Sequence, residues 1–435
     1  MFFLTIKRIK NKLNSGLLNK IFFLIIHFGA AQCVLVLASP LLTRLYTPEM
    51  FAYFGYVISL ATVILPLASL QYEYAILLTK LKRVTHLLLR LCVKLVVVIA
   101  SILLCVSLIV RLCCSAININ SEIVIIGFFI LLLQGVLQVY TIFLISSGKT
   151  ASVAHGKLIQ NIIMVAVQIS LPLIFVHSAT ALLFGLVVGL FCNFIYFRFC
   201  MDAISCRSRV QFTKRRLFFL LKRYYKLPLF SSGAVFIETA STLMPVFLIG
   251  PIYGANALGV YFLVYRVFIA PVGLLNMAVS KVMLKELSDR VKNKVNIMPL
   301  FINTSIVLAC IAIFYLMIML YMSTYVSLIF GDEWRVAKPV LKILAPSIAI
   351  TLCVSPLSAI FMLLNRNAVD FVWQLFYIIF TVGIIYVFRH GLFINMLTYL
   401  IMAWVFLYSI YWVLMYGVIS TRDKQGRVVN QMESS

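Results

Sequence analysis

The sequence predicts an all-α integral membrane protein of about twelve transmembrane helices in two groups of six. Three observations carry this. First, 63% of the 435 residues are apolar and only 11% are charged, against about 45–50% and about 25% in soluble domains. The mean hydropathy is +1.09. Second, the apolar runs are continuous, which excludes a barrel of alternating strands. Third, the basic residues fall in the gaps between those runs.

The runs lie at 21–43, 52–72, 91–110, 123–146, 158–177, 180–199, 227–250, 256–280, 300–322, 338–364, 369–388 and 392–416. Each is close to the roughly 20 residues a helix needs to cross hydrocarbon. The first follows a basic start (Lys7, Arg8, Lys10, Lys12) and is too long for a signal h-region, so it reads as an uncleaved helix. The longest polar gap, 201–226, carries a cluster of Lys and Arg. We read residues 1–200 as a six-helix lobe, 201–226 as a basic linker, 227–417 as a second lobe and 418–435 as a polar tail.

Net charge is +25. In a soluble protein that excess points to nucleic acid; between membrane spans it points to orientation and to anionic headgroups. Alternate loops carry 29 basic residues on one side and 5 on the other. The richer side, with both termini and the linker, is therefore expected to be cytoplasmic. No nucleic-acid partner is expected. The ten cysteines sit mostly inside apolar runs and read as small apolar side chains.

A faint repeat relates the halves. Leu41-Leu42-Thr43-Arg44-Leu45-Tyr46-Thr47-Pro48 joins spans one and two, and Leu248-Ile249-Gly250-Pro251-Ile252-Tyr253-Gly254-Ala255 joins spans seven and eight. The two tyrosines are 207 residues apart. Parallel repeats of this kind build some secondary transporters.

Energy coupling and catalysis leave little trace. Gly148-Lys149-Thr150 resembles the end of a P-loop, but the required first glycine is Phe143. The five histidines are scattered, with no metal-ligand spacing, so no catalytic residue and no metal site are assigned. A transporter without its own ATPase, coupled to H+ or Na+ or facilitated, fits best. No other cofactor is expected.

Intramembrane charge is the strongest local signal, because an ionisable group near the bilayer centre costs at least about 2.5–3.5 kcal/mol. Glu238 lies about 16 Å into span seven and Arg266 about 15 Å into span eight. Ser231, Ala234, Glu238, Ser241, Thr242 and Pro245 share one face. Gly259, Phe262, Arg266, Ala270 and Gly273 share another, and the small residues let a neighbouring helix or a ligand approach closely. Arg266 is the candidate for an anionic substrate group, with Glu238 tuning it or carrying a proton. The competing reading is an ion pair that only fixes packing.

Lesser candidates are Lys342, which can snorkel outward, Arg44 at the outer end of span one, Glu73 at the interfacial end of span two beside Lys80, where a salt bridge is expected, and His27. Gln134, Gln138 and Thr141 share a face of span four; Ser347, Thr351, Ser355 and Ser358 share one of span ten. These stripes read as interhelical hydrogen bonding or as a path for sugar hydroxyls.

Pro40-Leu41-Leu42-Thr43-Arg44-Leu45-Tyr46-Thr47-Pro48-Glu49-Met50-Phe51 is similar to the first loop of Wzx-type polysaccharide flippases. Tyr72-Glu73-Tyr74-Ala75-Ile76-Leu77-Leu78, Phe330-Gly331-Asp332-Glu333-Trp334 and the stretch 245–261 resemble that family too. The family belongs to the multidrug/oligosaccharidyl-lipid/polysaccharide exporter superfamily. The resemblance implies two lobes around a central cation-lined cavity, alternating access, and an undecaprenyl-diphosphate-linked oligosaccharide as substrate. It also implies the bacterial inner membrane, an O-antigen or capsule pathway, and a polysaccharide polymerase and chain-length proteins as partners. It assigns no single residue. The competing classes are a cation-coupled drug or small-molecule exporter of the same superfamily and a membrane-embedded transferase, which would need a His or Asp constellation.

Overall fold

In the computed structural model, residues 15–79, 81–113, 121–174, 178–202, 214–225, 228, 232–293, 295–364 and 366–433 are described. The apolar runs become helices: α1 Ser15–Leu45, α2 Pro48–Ala68, the short α3 Tyr74–Leu78, α4 Lys82–Cys113, α5 Ser121–Ser146, α6 Thr150–Ile174 and α7 Ala179–Asp202. The polar gap holds a ten-residue helix, α8 Lys214–Arg223. Beyond it lie α9 Gly233–Tyr253, α10 Ala255–Val264 with a π-turn Tyr265–Ile269, and α11 Ala270–Lys292. Next come α12 Met298–Thr324, the short α13 Val326–Phe330, α14 Ala337–Val354, α15 Ala359–Leu363, α16 Asn367–Val387 and α17 Phe393–Glu433. Among the described residues, eleven helices are long and apolar enough to cross a membrane, and Gly29–Leu45 adds a shorter apolar stretch. The chain is a multi-pass membrane protein of about twelve spans.

Two compact units emerge: Met1–Tyr46 with Tyr53–Leu243, and Thr47–Ala52 with Met244–Ser435. In the first, α6 lies between α1 and α7. A Gly185-x-x-x-Gly189 pair on α7 brings it close to α6: a Cβ on Gly189 would stand 2.6 Å from the carbonyl oxygen of Gln160. Lipid gives helices no hydrophobic reason to associate, so such close backbone approach supplies the packing. Polar ties add to it. Asn161 Nδ2 donates to Ala31 O on α1 at 2.7 Å, and Gln168 Nε2 donates to Leu182 O on α7 at 2.7 Å.

The second unit is tied differently. Trp334 is fully buried and meets the edge of Phe51 at 5.1 Å. Trp373 and Tyr411 stack at 4.0 Å between α16 and α17. The α17 helix continues through the stretch read as a polar tail, where Asp423 Oδ2 accepts the backbone N–H groups of Ile297 and Met298 at 3.0 Å each. That carboxylate caps the N-terminus of α12, where Asn296 Oδ1 also accepts the Met298 N–H at 3.2 Å.

The repeat has a structural counterpart. Tyr46 and Tyr253 each stand at a tight corner between two long helices. The Tyr46 hydroxyl donates to Gln168 O on α6 at 2.7 Å. The Tyr253 hydroxyl donates to Phe388 O, at the end of α16, at 2.6 Å. In each half the corner is fastened to the fifth long helix.

Gly259, read from sequence as part of a small-residue face, admits a specific neighbour. A Cβ there would fall on the carbonyl oxygen of Pro48, whose residue belongs to the same unit. Gly259→Ala is therefore expected to lower stability by about 1–3 kcal/mol. A Cβ on Gly273, on the same face, meets nothing within 4 Å. Thermal melting in detergent checks the pair: Gly273→Ala should melt with the wild type, and an unchanged Gly259→Ala would remove the close approach.

Candidate functional site

In the second unit the deep cation is held by an irregular piece of helix. Pro271 has no N–H, so the carbonyl of Val267 loses its i+4 donor. The helix widens just before it: the N–H of Ala270 bonds to Tyr265 O, five residues back. Arg266 sits in this π-turn and is 8% exposed. Such turns often mark functional positions. Tyr265 stacks on Phe262 at 6.2 Å, and Tyr377 on α16 lies within electrostatic reach of Tyr261, Tyr265 and Tyr408. The guanidinium is thus buried, where a charge-assisted hydrogen bond to an anionic oxygen is stronger than in water.

In the first unit the structure brings two sequence candidates together. Glu73 is 0% exposed, in the turn between α2 and α3, and Gln138 Nε2 on α5 donates to its Oε1 at 2.8 Å. Leu70 and Gln71, just before it, adopt positive φ of 51° and 58°. Two consecutive non-glycine residues in the left-handed region cost energy that the surroundings must hold. Burial raises the Glu73 carboxyl above the ordinary carboxylate value; hydrogen bonds from Ser69, the backbone and Gln138 offset part of the rise. The sequence placed Glu73 at the interface beside Lys80; Lys80 lies outside the described residues.

The remaining candidates fall as follows. Glu238 is exposed on α9 in the first unit, on a face with Ala234 and Thr242, whose hydroxyl donates to Glu238 O at 3.0 Å. Ser241 is buried and Ser231 lies outside the described residues. Arg44 is exposed one residue before the end of α1, and Lys342 is exposed in the second turn of α14. Gln134 is half-buried one turn before Gln138. Ser347 is buried and donates to Leu344 O at 2.8 Å; Thr351 donates to Ser347 O at 2.7 Å. Both hydroxyls therefore spend their proton on their own helix and offer only lone pairs to anything else. His27 falls within α1, and its side chain lies outside the described residues.

Sequence reasoning missed a cation. Lys157, counted with the loops, is the eighth residue of α6. It is exposed, and its Nζ donates to Gln160 Oε1 at 3.2 Å, which also accepts Asn193 Nδ2 at 3.1 Å. Like several others of the 29, it therefore lies on a helix and not in a loop. The available signal was the spacing of Lys157, Gln160, Asn161 and Gln168, one helical face. A carboxylate was missed too: Asp370 on α16 is half-buried and accepts the Tyr411 hydroxyl at 2.5 Å.

The fold has solved relatives. A multidrug resistance MATE family transporter of the MOP superfamily, in an inward-facing conformation, superposes with a TM-score of 0.69 at 14% identity, over 90% of this chain and 96% of that one. The lipid II flippase MurJ, inward closed, gives 0.67 at 13% identity over 94% and 91%. This is a multi-pass membrane protein whose fold is similar to the folds of these two transporters. Residues 97–339 match the family described as "Polysaccharide biosynthesis protein", and the chain belongs to it. Among curated proteins, the teichuronic acid biosynthesis protein TuaB of Bacillus subtilis (strain 168) is 24% identical over 155 residues, 35% of this chain. The match spans 32% of that relative's length. The resemblance read from the sequence holds at the level of family and fold.

Proposed function

We propose that this protein is not an enzyme but a flippase: it moves an undecaprenyl-diphosphate-linked oligosaccharide repeat unit across the bacterial inner membrane by alternating access, in O-antigen or capsule assembly. The observation that carries the reading is a buried guanidinium, Arg266, on a membrane-spanning helix of a polysaccharide biosynthesis family member. Moving a bare diphosphate through hydrocarbon is prohibitive, and a fixed cation lowers that barrier. The relatedness to TuaB and the fold shared with a lipid II flippase support the same direction.

In this reading Arg266 holds the diphosphate, and Glu238, exposed on α9, is a coupling candidate. Gln134, Gln138, Ser347 and Thr351 offer hydrogen-bonding groups to the glycan. Glu73 is the coupling candidate for H+ or Na+, with His27 secondary; Arg44 and Lys342 are secondary cations for the substrate. The lobes span residues 1–200 and 227–417, joined by a linker at 201–226 and followed by the tail 418–435. A polymerase and chain-length proteins would receive the product. The test is transport of a fluorescent lipid diphosphate-linked glycan in proteoliposomes. Transport of drugs but not of the glycan would favour the small-molecule exporter instead.

Orientation follows from the basic asymmetry, and both termini with the linker are proposed as cytoplasmic. Alkaline phosphatase fused after Lys226 should be inactive. High activity there would reverse the topology.

A further inference from the structure

Lys157 stands on the wrong side of α6 for a lipid-facing lysine. His155, Ile162, Ala166 and Leu173 are exposed. At about 100° per residue they fall within an arc of about 40°, which is the face toward lipid. Lys157 lies about 160° from the centre of that arc. Its neighbours on the far side, Val153, Gln160, Asn161, Met164 and Gln168, are all buried. Lys157 is exposed in their midst. An exposed group on a buried face opens into a recess of the protein and not onto lipid.

The direction of the side chain agrees. Lys157 is about 10 Å past Thr150, inside an apolar span that runs Thr150–Ile174. A lysine at that depth ordinarily runs its stem back to the nearer headgroups, here toward Thr150. Instead its Nζ reaches forward, to Gln160 Oε1 at 3.2 Å. That oxygen also accepts Asn193 Nδ2 of α7 at 3.1 Å, and both amide side chains are buried. Gly156 makes the room for this, since a Cβ there would collide with Asn193 Oδ1 and Phe197 Cε1. The acceptor that holds the ammonium is itself held.

Gln160 is neutral, so this bond orients the ammonium without cancelling its charge. The sequences of α1 and α6 contain no Asp or Glu. That of α7 contains Asp202, nine residues beyond Asn193. It lies toward the end where Lys149 Nζ donates to Cys200 O at 3.3 Å. An ammonium has three N–H donors, and Gln160 takes one of them. Two remain for a group in the recess. An ionisable side chain at membrane depth normally faces a cavity or a partner. The partner that matches a hydrogen-bonded ammonium best is an oxyanion, through short charge-assisted hydrogen bonds.

We propose that Lys157 is an oxyanion-binding site of the first unit, which holds a phosphate or carboxylate oxygen of a molecule entering the recess, with Gln160 as its positioning residue. In the flippase reading two sources offer that chemistry: the lipid-linked diphosphate, and the carboxylate of an acidic sugar in the glycan. The site itself rests on geometry and not on transport. Binding without transport keeps the site and ends the flippase reading.

The test is acetylation of the full chain in phosphatidylcholine nanodiscs by a water-soluble N-hydroxysuccinimide ester, read at Lys157 by peptide mass spectrometry. This readout is local, so an anion bound at Arg266 does not enter it. Lys157 should be acetylated, as should exposed Lys338, which shows that the reagent is active. Farnesyl diphosphate or a glucuronate-containing disaccharide should slow acetylation of Lys157 several-fold, and maltose should not. Protection by the first assigns the diphosphate and by the second the sugar carboxylate; either supports the site. Gln160→Glu keeps the acceptor oxygen but adds a carboxylate beside the ammonium, and should abolish protection without a change in melting temperature. Lys157→Gln, at an exposed position, should fold and bind the protecting probe several-fold more weakly in calorimetry, while Lys157→Arg keeps it. Unlabelled Lys157 beside labelled Lys338 overturns the recess. Acetylation unchanged by both anions, or slowed equally by maltose, overturns the oxyanion site.

Discussion

Arg266→Ala is expected to abolish surface polysaccharide while the protein still inserts at normal levels. The residue is nearly fully enclosed, in a π-turn created ahead of Pro271. A guanidinium there carries a desolvation cost of several kcal/mol. In the proposed reading a diphosphate offsets that cost through charge-assisted hydrogen bonds. Arg266→Lys should keep partial export, since an ammonium holds a phosphate as a point charge but without the bidentate fork. Export measured by surface immunoblot, beside membrane protein levels, checks both. Normal export in Arg266→Ala would leave the residue a packing element and remove the diphosphate site.

What the sequence made legible follows from what hydropathy can encode. Long apolar runs with cations between them located the spans, because the roughly 30 Å of hydrocarbon demands continuous helices, although several helices run eight or more residues beyond the apolar run. The corners at Tyr46 and Tyr253 were readable as an echo, although what their hydroxyls bind was not. Lys157 was misplaced because a charge near a helix end looks like a loop to any hydropathy window, while α6 already begins at Thr150. The α8 helix was hidden for the same reason, its cations outweighing its apolar centre.

Interior polar pairing was the least legible. Gln138 was read as part of a polar stripe and Glu73 as an interfacial charge, and nothing in the spacing of 65 residues joins them. The stripe on α6, Gln160, Asn161 and Gln168, went unremarked because isolated amides in apolar runs are common. Its function as the tie among α1, α6 and α7 depends on partners such as Ala31 O and Leu182 O, which are backbone atoms. Backbone acceptors leave no mark in sequence. The Gly259 face, by contrast, was read as small for close approach, and the structure supplied the neighbour, Pro48.

Glu73 gives the sharpest separation of folding from function. Glu73→Ala removes the acceptor of Gln138 and leaves a cavity in a fully buried turn, so it should cost about 2–4 kcal/mol. Glu73→Gln keeps the shape and an acceptor oxygen, and should fold. Because burial raises the Glu73 carboxyl, the folded protein holds this proton at pH values where the unfolded chain has released it. The native state therefore binds more protons, and this residue's contribution to stability falls as pH rises from the unfolded carboxylate value through the raised folded one. Lowering the pH from about 7.5 toward about 5 should thus raise the melting temperature of the wild type relative to Glu73→Gln, which has no proton to gain. A melting difference that does not change with pH would mean that Glu73 is charged and stabilised in the fold. If Glu73 carries the coupling proton, Glu73→Gln, folded and present at wild-type levels, should also lose transport driven by a pH gradient. Full pH-driven transport in Glu73→Gln would confine the residue to its hydrogen bond with Gln138.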